Sequence, residues 1–447
     1  MSTETLGALT LALLLLIAGA NLLGQLAAML RQPKVVGEIA AGILLGPSLL
    51  GLLAPEAMAR IFGGDAQDPS TVVLGFLYHL GLLLLMFVSG SSARNILGKQ
   101  DWRPTAWLLG VGTPLPFFLA LAVAPLLPLA DFLGAAGSEP AVLLVFAIAT
   151  AVTSIPVITK IFYDLGILHT RFASLVLGVA VVEDIVLWSV LALATAIASA
   201  TVAASGGALA EAVAVHVAAN VLYVLVAMTV MPPLLRRLGR ARCNIVARNA
   251  PIAWIMVVVL GYVSVAAALD VTLAFAALLA GFGIAGGVKG TEQQRFRVPL
   301  TAIEQVSAAV FIPLYFAVVG YRLDFTKGFA PLMLVAFLLG SSAAALLSTG
   351  LAARLAGFRR LDIVNLAVTR NARGGPGIVL ASVAFDAGII NAPFFTTLVV
   401  TAVLTSQACG AWLDFVLRKG WPLLSGAGVE EPDKTAISAR RSGGENW

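Results

Sequence analysis

The stretch VVEDIV, residues 181–186, sets two acids side by side in an apolar run. Glu183 and Asp184 are the only charged residues between Arg171 and Glu211. Carboxylate oxygens take a proton or a small hard cation, and one oxygen cannot hold both at once. Two further stretches have chemistry out of place in apolar surroundings. TSIP, residues 153–156, offers the hydroxyls of Thr153 and Ser154 just ahead of Pro156. TRNARGGPG, residues 369–377, combines Arg370 and Arg373 with three glycines and Pro376.

The elements that position these residues lie in lipid. The chain of 447 residues is 60% hydrophobic and 11% charged, against about 25% charged in a soluble domain. So few charges cannot cover a water-facing surface, and the fold class is an all-α polytopic membrane protein. The net charge of +5 reads as basic loops at a membrane, with no nucleic-acid partner. Two cysteines permit at most one disulfide. The N-terminal MSTET has no basic region, so the first apolar run reads as a retained helix. HExxH, GxSxG and P-loop motifs are absent, which argues against an intramembrane hydrolase or an ATP-driven pump. No enzyme and no cofactor is implied.

About thirteen transmembrane helices are predicted, near 6–30, 35–53, 71–90, 105–127, 141–163, 172–199, 212–235, 252–269, 273–287, 306–321, 328–353, 363–385 and 392–417. Basic residues crowd the loops after odd-numbered helices, most densely at Arg236, Arg237, Arg240, Arg242 and Arg248. Loops after even-numbered helices hold only Arg60, Arg322 and Lys327. The positive-inside rule then sets the N-terminus outside and the C-terminus in the cytoplasm. Residues 1–424 form the membrane domain, and the small, polar residues 425–447 are expected to be a disordered cytoplasmic tail.

Glu183 lies twelve residues past Arg171, roughly 18 Å along a helix, which is near mid-bilayer. A charge there costs roughly 2.5–3.5 kcal/mol on insertion scales, a cost that points to use. Neighbouring residues on a helix point about 100° apart, so the two carboxylates can have different partners. Pro156 should break or kink the fifth helix, and TRNARGGPG should unwind the twelfth. An offset of seven helices inverts one break relative to the other, as expected of two inverted repeats with a transport site at the midplane. The half-helix ends supply partial charges of both signs. The acid pair beside them supplies ligands for a small cation.

AIATAVTSIPVITKIFYDLGILHTRFASLVLGVAVVEDIV (147–186) closely resembles the core of the monovalent cation:proton antiporter superfamily, most of all the branch with Nap-type sodium/proton and Kef-type potassium antiporters. KVVGEIAAGILLGPSLLG (34–51), HLGLLLLMFVSG (79–90), FAALLAGFGIA (275–285), FIPLYFAVVG (311–320) and RGGPGIVLASVAFDAGIIN (373–391) follow its other landmarks in order. The resemblance implies crossing broken helices 5 and 12 and elevator-type exchange of Na+ or K+ for H+ across the plasma membrane. It implies a transport bundle near 105–199 and 328–417 and a dimerisation bundle near 6–90 and 252–321, joined by a linker helix at 212–235, in a homodimer. Asp184 takes the part of the main cation and proton ligand, with Glu183, Thr153 and Ser154 beside it.

Three features depart from the family pattern. Glu183 stands where an aspartate is usual. The lysine that electrogenic members carry before the second broken helix is missing: Gly328–Ala353 has no charge, and Ala345 falls about at its place. This argues for electroneutral exchange, or for Glu183 pairing with Arg370 or Arg373. GSSAR at 90–94 lacks the acid often found after the third helix's GL pair. Arg373 is expected to neutralise a buried acid. Glu38 is weighed as a lining residue of an ion funnel against a structural acid. A transporter of another solute, or a membrane-embedded enzyme or accessory protein, is the alternative on the same scaffold.

Overall fold

The computed structural model describes residues 2–425, apart from 31, 64–67, 97–101, 169, 204–208, 242, 270, 288–290 and 327–328. Apolar runs in lipid must satisfy their backbone internally, and helices do so throughout the described residues. One isolated bridge, between Leu133 and Ile390, is the exception. In chain order the main elements are α1 Thr3–Met29, α2 Lys34–Leu53, α3 Pro69–Ile96 and α4 Trp102–Leu126. A broken pair follows, α5 Glu139–Ala151 and α6 Ile155–Asp164, then the long α7, Arg171–Ala203. Next come α8 Ala218–Arg240, α9 Pro251–Ala268, α10 Leu273–Gly287 and α11 Phe296–Tyr321. α12 Pro331–Leu355 precedes a second broken pair, α13 Arg360–Arg370 and α14 Gly374–Asp386, and α15 Ala392–Arg418 closes the bundle. Ten of the described helices have the length and composition to cross a membrane, and each apolar run predicted from sequence coincides with a helix or a broken pair.

The helices pack in two groups. In the first, α2 lies between α1 and the C-terminal half of α11, while α3 packs along α10. Small residues let backbones approach. A Cβ on Gly90 would overlap Leu278 O of α10, and one on Gly281 would overlap Phe87 O of α3. In the second group α5 packs against α4 and α7, α12 against α4 and α13, and α14 against α15. α8 touches α7 at one end and α10 at the other.

The described residues correct the expectation for Pro156. The first break spans Val152–Ser154, ahead of Pro156. Pro156 falls in the first turn of α6, where its missing N–H costs no helical hydrogen bond. The proline starts the second half-helix instead of breaking one already under way. The tail reading lies outside the described residues except at Ser425, whose N–H donates to Asp362 Oδ1 at 2.7 Å.

Candidate functional site

The two breaks cross and bond directly to each other. Thr153 Oγ1 donates to Arg370 O at 3.0 Å, and Ser154 N–H donates to Ala372 O at 2.8 Å. Helix ends leave donors and acceptors without intrahelical partners, and each interrupted helix here satisfies the other. α15 serves the start of α14: Gly374 N–H donates to Ser406 Oγ at 3.0 Å and Arg373 N–H to Thr405 Oγ1 at 3.4 Å. Gly374 has φ +30°, and a Cβ there would lie 2.7 Å from Ser154 Oγ. The crossing therefore requires glycine at this position. Two half-helix N-termini and two C-termini converge, with partial charges of both signs.

α7 runs beside the crossing and presents its two acids to different surroundings. Glu183 turns to Arg370: Nη2 donates to Oε2 at 3.1 Å, with both side chains almost fully buried. The same guanidinium donates to Thr113 Oγ1 at 3.0 Å, to Leu108 O at 3.4 Å and to Thr349 Oγ1 at 3.4 Å. A π turn over Leu108–Gly112 opens α4 at this point. Such turns free a carbonyl from the regular ladder, and Leu108 O is free for Arg370. A Cβ on Gly112 would press against Arg370 Nη1. The sequence expectation that Glu183 pairs with one of the two arginines is met by Arg370.

Arg373 departs from expectation. It is 2% exposed, yet no carboxylate among the described residues pairs with it. Nη1 donates to Ser341 Oγ at 2.6 Å and Nη2 to Asn371 Oδ1 at 3.4 Å, while Nε has no partner. Phe337 lies 5.7 Å from the guanidinium carbon. The neighbouring acid Glu183 is paired with Arg370 instead. Ser341, Ala345 and Thr349 lie four residues apart on one face of α12. The two guanidiniums thus bond the residues one turn either side of Ala345, at Ser341 and Thr349.

Asp184 is 4% exposed, and its Oδ1 is buried without a hydrogen-bond partner. It borders a cavity of about 10 Å³ between the two helix groups, walled also by Met86 of α3, Trp188 of α7, Leu278 of α10 and Pro376 of α14. A buried carboxylate left unpaired is costly, and this one is left so beside a space of about one water. Glu38 lies elsewhere. It packs against α1, where Gly24 leaves room beside its Cγ, inside the first helix group and away from the crossing.

Sequence reasoning missed Thr113, Gly112, Ser341, Asn371 and Thr349, all partners or neighbours of the arginines. GVGTP at 110–114 was a readable signal, since glycines and a proline within an apolar run mark irregular backbone. Ser341 and Thr349 carried no signal, because hydroxyls are common in membrane helices.

Residues 2–419 match the family model described as "Sodium/hydrogen exchanger, transmembrane". The Na+/H+ antiporter NhaS4 of Synechocystis is 26% identical over 427 residues, covering 91% of this chain and 96% of that protein. The K+/H+ antiporter 1 of Saccharomyces cerevisiae is 26% identical over 404 residues, and the chain spans 43% of its length. Cation/H+ antiporter 19 of Arabidopsis thaliana is 27% identical, and the chain spans 48% of it. The structure of the sodium proton antiporter MjNhaP1 from Methanocaldococcus jannaschii matches with TM-score 0.61 at 15% identity, covering 93% of this chain and 98% of that one, which shows the shared fold. With the family model spanning the membrane helices from end to end, this chain is a multi-pass member of the sodium/hydrogen exchanger family of cation/proton antiporters.

Proposed function

We propose that this chain exchanges a monovalent cation, Na+ or K+, for protons across the plasma membrane, with Asp184 as the ligand the two ions share. The observation that carries the reading is the partnerless Asp184 carboxylate, held beside a one-water cavity at the boundary between two helix groups. A proton or a cation relieves the cost of that buried charge. Because only one of them fits on the carboxylate, movement restricted to the loaded protein couples their fluxes. Thr153 and Ser154 hold the crossing of the breaks in register through their bonds to Arg370 O and Ala372 O. Arg370 neutralises Glu183, and Arg373 adds fixed positive charge at the crossing.

Alternating access follows an elevator scheme. The second helix group, with the crossing and Asp184, is the transport bundle. The first is the dimerisation bundle of a homodimer, and α8 links them. The chain is two inverted repeats over thirteen crossings, each repeat giving one broken helix to the transport bundle, with the N-terminus outside and the C-terminus in the cytoplasm. Exchange is electroneutral, since Glu183 is locked in an ion pair and one carboxylate per protomer remains to bind ions.

Proteoliposomes with a pH-sensitive dye test the function. Added Na+, K+ or Li+ should move protons, and Asp184→Asn should abolish the response. A wild-type protein that answers to none of the three rejects cation/proton exchange.

A further inference from the structure

The cavity beside Asp184 is built from both helix groups, and its side-chain oxygens come from two residues, Asp184 and Ser89. Ser89 lies on α3, in the group that does not carry the crossing. Its hydroxyl differs from most of those near the site, although Thr159 Oγ1 of α6 and Thr401 Oγ1 of α15 are also without a partner. Thr150 donates to Phe146 O, Thr369 to Asn365 O, Thr405 to Thr401 O and Ser406 to Ala402 O, each back along its own helix. Next to Ser89, Ser91 donates to Val88 O in the same way. Ser89 makes no such bond and has no other hydrogen-bond partner among the described residues. A helical serine is ordinarily satisfied by the preceding turn. Here the partnerless hydroxyl belongs to a residue that lines the same small cavity as Asp184, whose Oδ1 is unpaired.

Two free oxygens around room for one small body are the elements of a site for a hard cation. The remaining wall of Met86, Trp188, Leu278 and Pro376 is apolar or nearly so. A cation entering there sheds most of its water, and each protein oxygen then weighs heavily. We propose that Ser89 is a cation ligand supplied by α3, completing with Asp184 a site that spans both helix groups and setting its affinity and cation preference. This inference rests on the exchange reading above. It adds that the ligand set is assembled across the boundary along which the groups would slide, so that sliding itself removes one ligand.

The test compares wild type, Ser89→Ala and Ser89→Cys in the dye-loaded proteoliposomes, with Na+, Li+ and K+ titrated separately. Loss of one ligand oxygen should raise the half-saturating Na+ and Li+ concentrations about tenfold, the size of one contact to a charged group. K+, whose larger radius weakens each oxygen contact, should shift less. The maximal rate should stay within about twofold of wild type. The cysteine keeps the volume and removes the hard oxygen, so it should match the alanine variant. Half-saturation unchanged in Ser89→Ala, shifted by one common factor for all three cations, or restored by cysteine would overturn the ligand role. A wild-type protein that exchanges no cation would reject the exchange reading itself, a separate result from wild-type exchange with an unaffected Ser89→Ala.

Discussion

Glu183 and Asp184 are adjacent in sequence and opposite in circumstance: Glu183 Oε2 accepts from Arg370 Nη2 at 3.1 Å, while Asp184 Oδ1 is buried with no partner. A step of about 100° around α7 gives one acid a buried ion pair and leaves the other without a partner. Glu183 Oε1 is also without a partner, so the ion pair rests on one oxygen and on the hydroxyl and carbonyl that share Arg370.

The Glu183–Arg370 pair should matter chiefly to folding. Removing one member of a buried pair strands the other, at a cost of about 3–5 kcal/mol. Arg370→Ala should therefore lower the thermal midpoint in detergent steeply. Glu183→Gln with Arg370→Gln should fall short of the sum of the two single changes. Additive losses in the double variant would show the pair is not coupled.

Exchange should carry no current. Asp184 with a proton and Asp184 with a monovalent cation have the same charge, and the Glu183–Arg370 pair stays neutral in both. Proton movement in vesicles should keep its rate when the membrane potential is clamped at either sign. A rate that follows the potential would mean that a second acid titrates in the cycle.

The proposed competition of proton and cation at Asp184 sets the sign expected of the pH dependence. A lower pH loads the carboxylate with a proton, and the protonated form cannot ligate a cation. The half-saturating cation concentration should therefore rise as pH falls, while the maximal rate at saturating cation changes little. Half-saturation independent of pH, measured with the same dye assay, would place the two ions on different groups.

Arg322 Nη1 and Asp386 Oδ1 lie 2.6 Å apart and join the end of α11 to the end of α14. Tyr78 of α3 donates to the other Asp386 oxygen at 2.9 Å, with the Arg322 guanidinium 4.0 Å above its ring. The side chains of the pair are 28% and 24% exposed, so Arg322→Ala should cost no more than about 1 kcal/mol of stability. Its place between the two groups makes it a probe of sliding. Arg322→Cys with Asp386→Cys, in a Cys243→Ser background, should lose exchange on oxidation and regain it on reduction. Undiminished exchange in the cross-linked protein would rule out sliding at this boundary.

Part of this protein is legible in one dimension. The apolar runs, the acids inside one of them and the glycine- and proline-marked breaks are local properties, and each predicted run meets a helix or a broken pair. The bilayer makes this possible, because lipid forces every crossing segment to satisfy its own backbone. Contacts between helices depend on rotation and depth, which packing between distant segments sets. Arg370 and Arg373 lie three residues apart, and either could have met Glu183. The choice fell to Arg370 because α4 opens in a π turn at Leu108–Gly112 and Gly112 leaves space for the guanidinium. In the same way Ser89, one serine among many in the chain, comes to line one cavity with Asp184 through the packing of distant helices, in which the glycines at 90 and 281 let α3 lie close along α10.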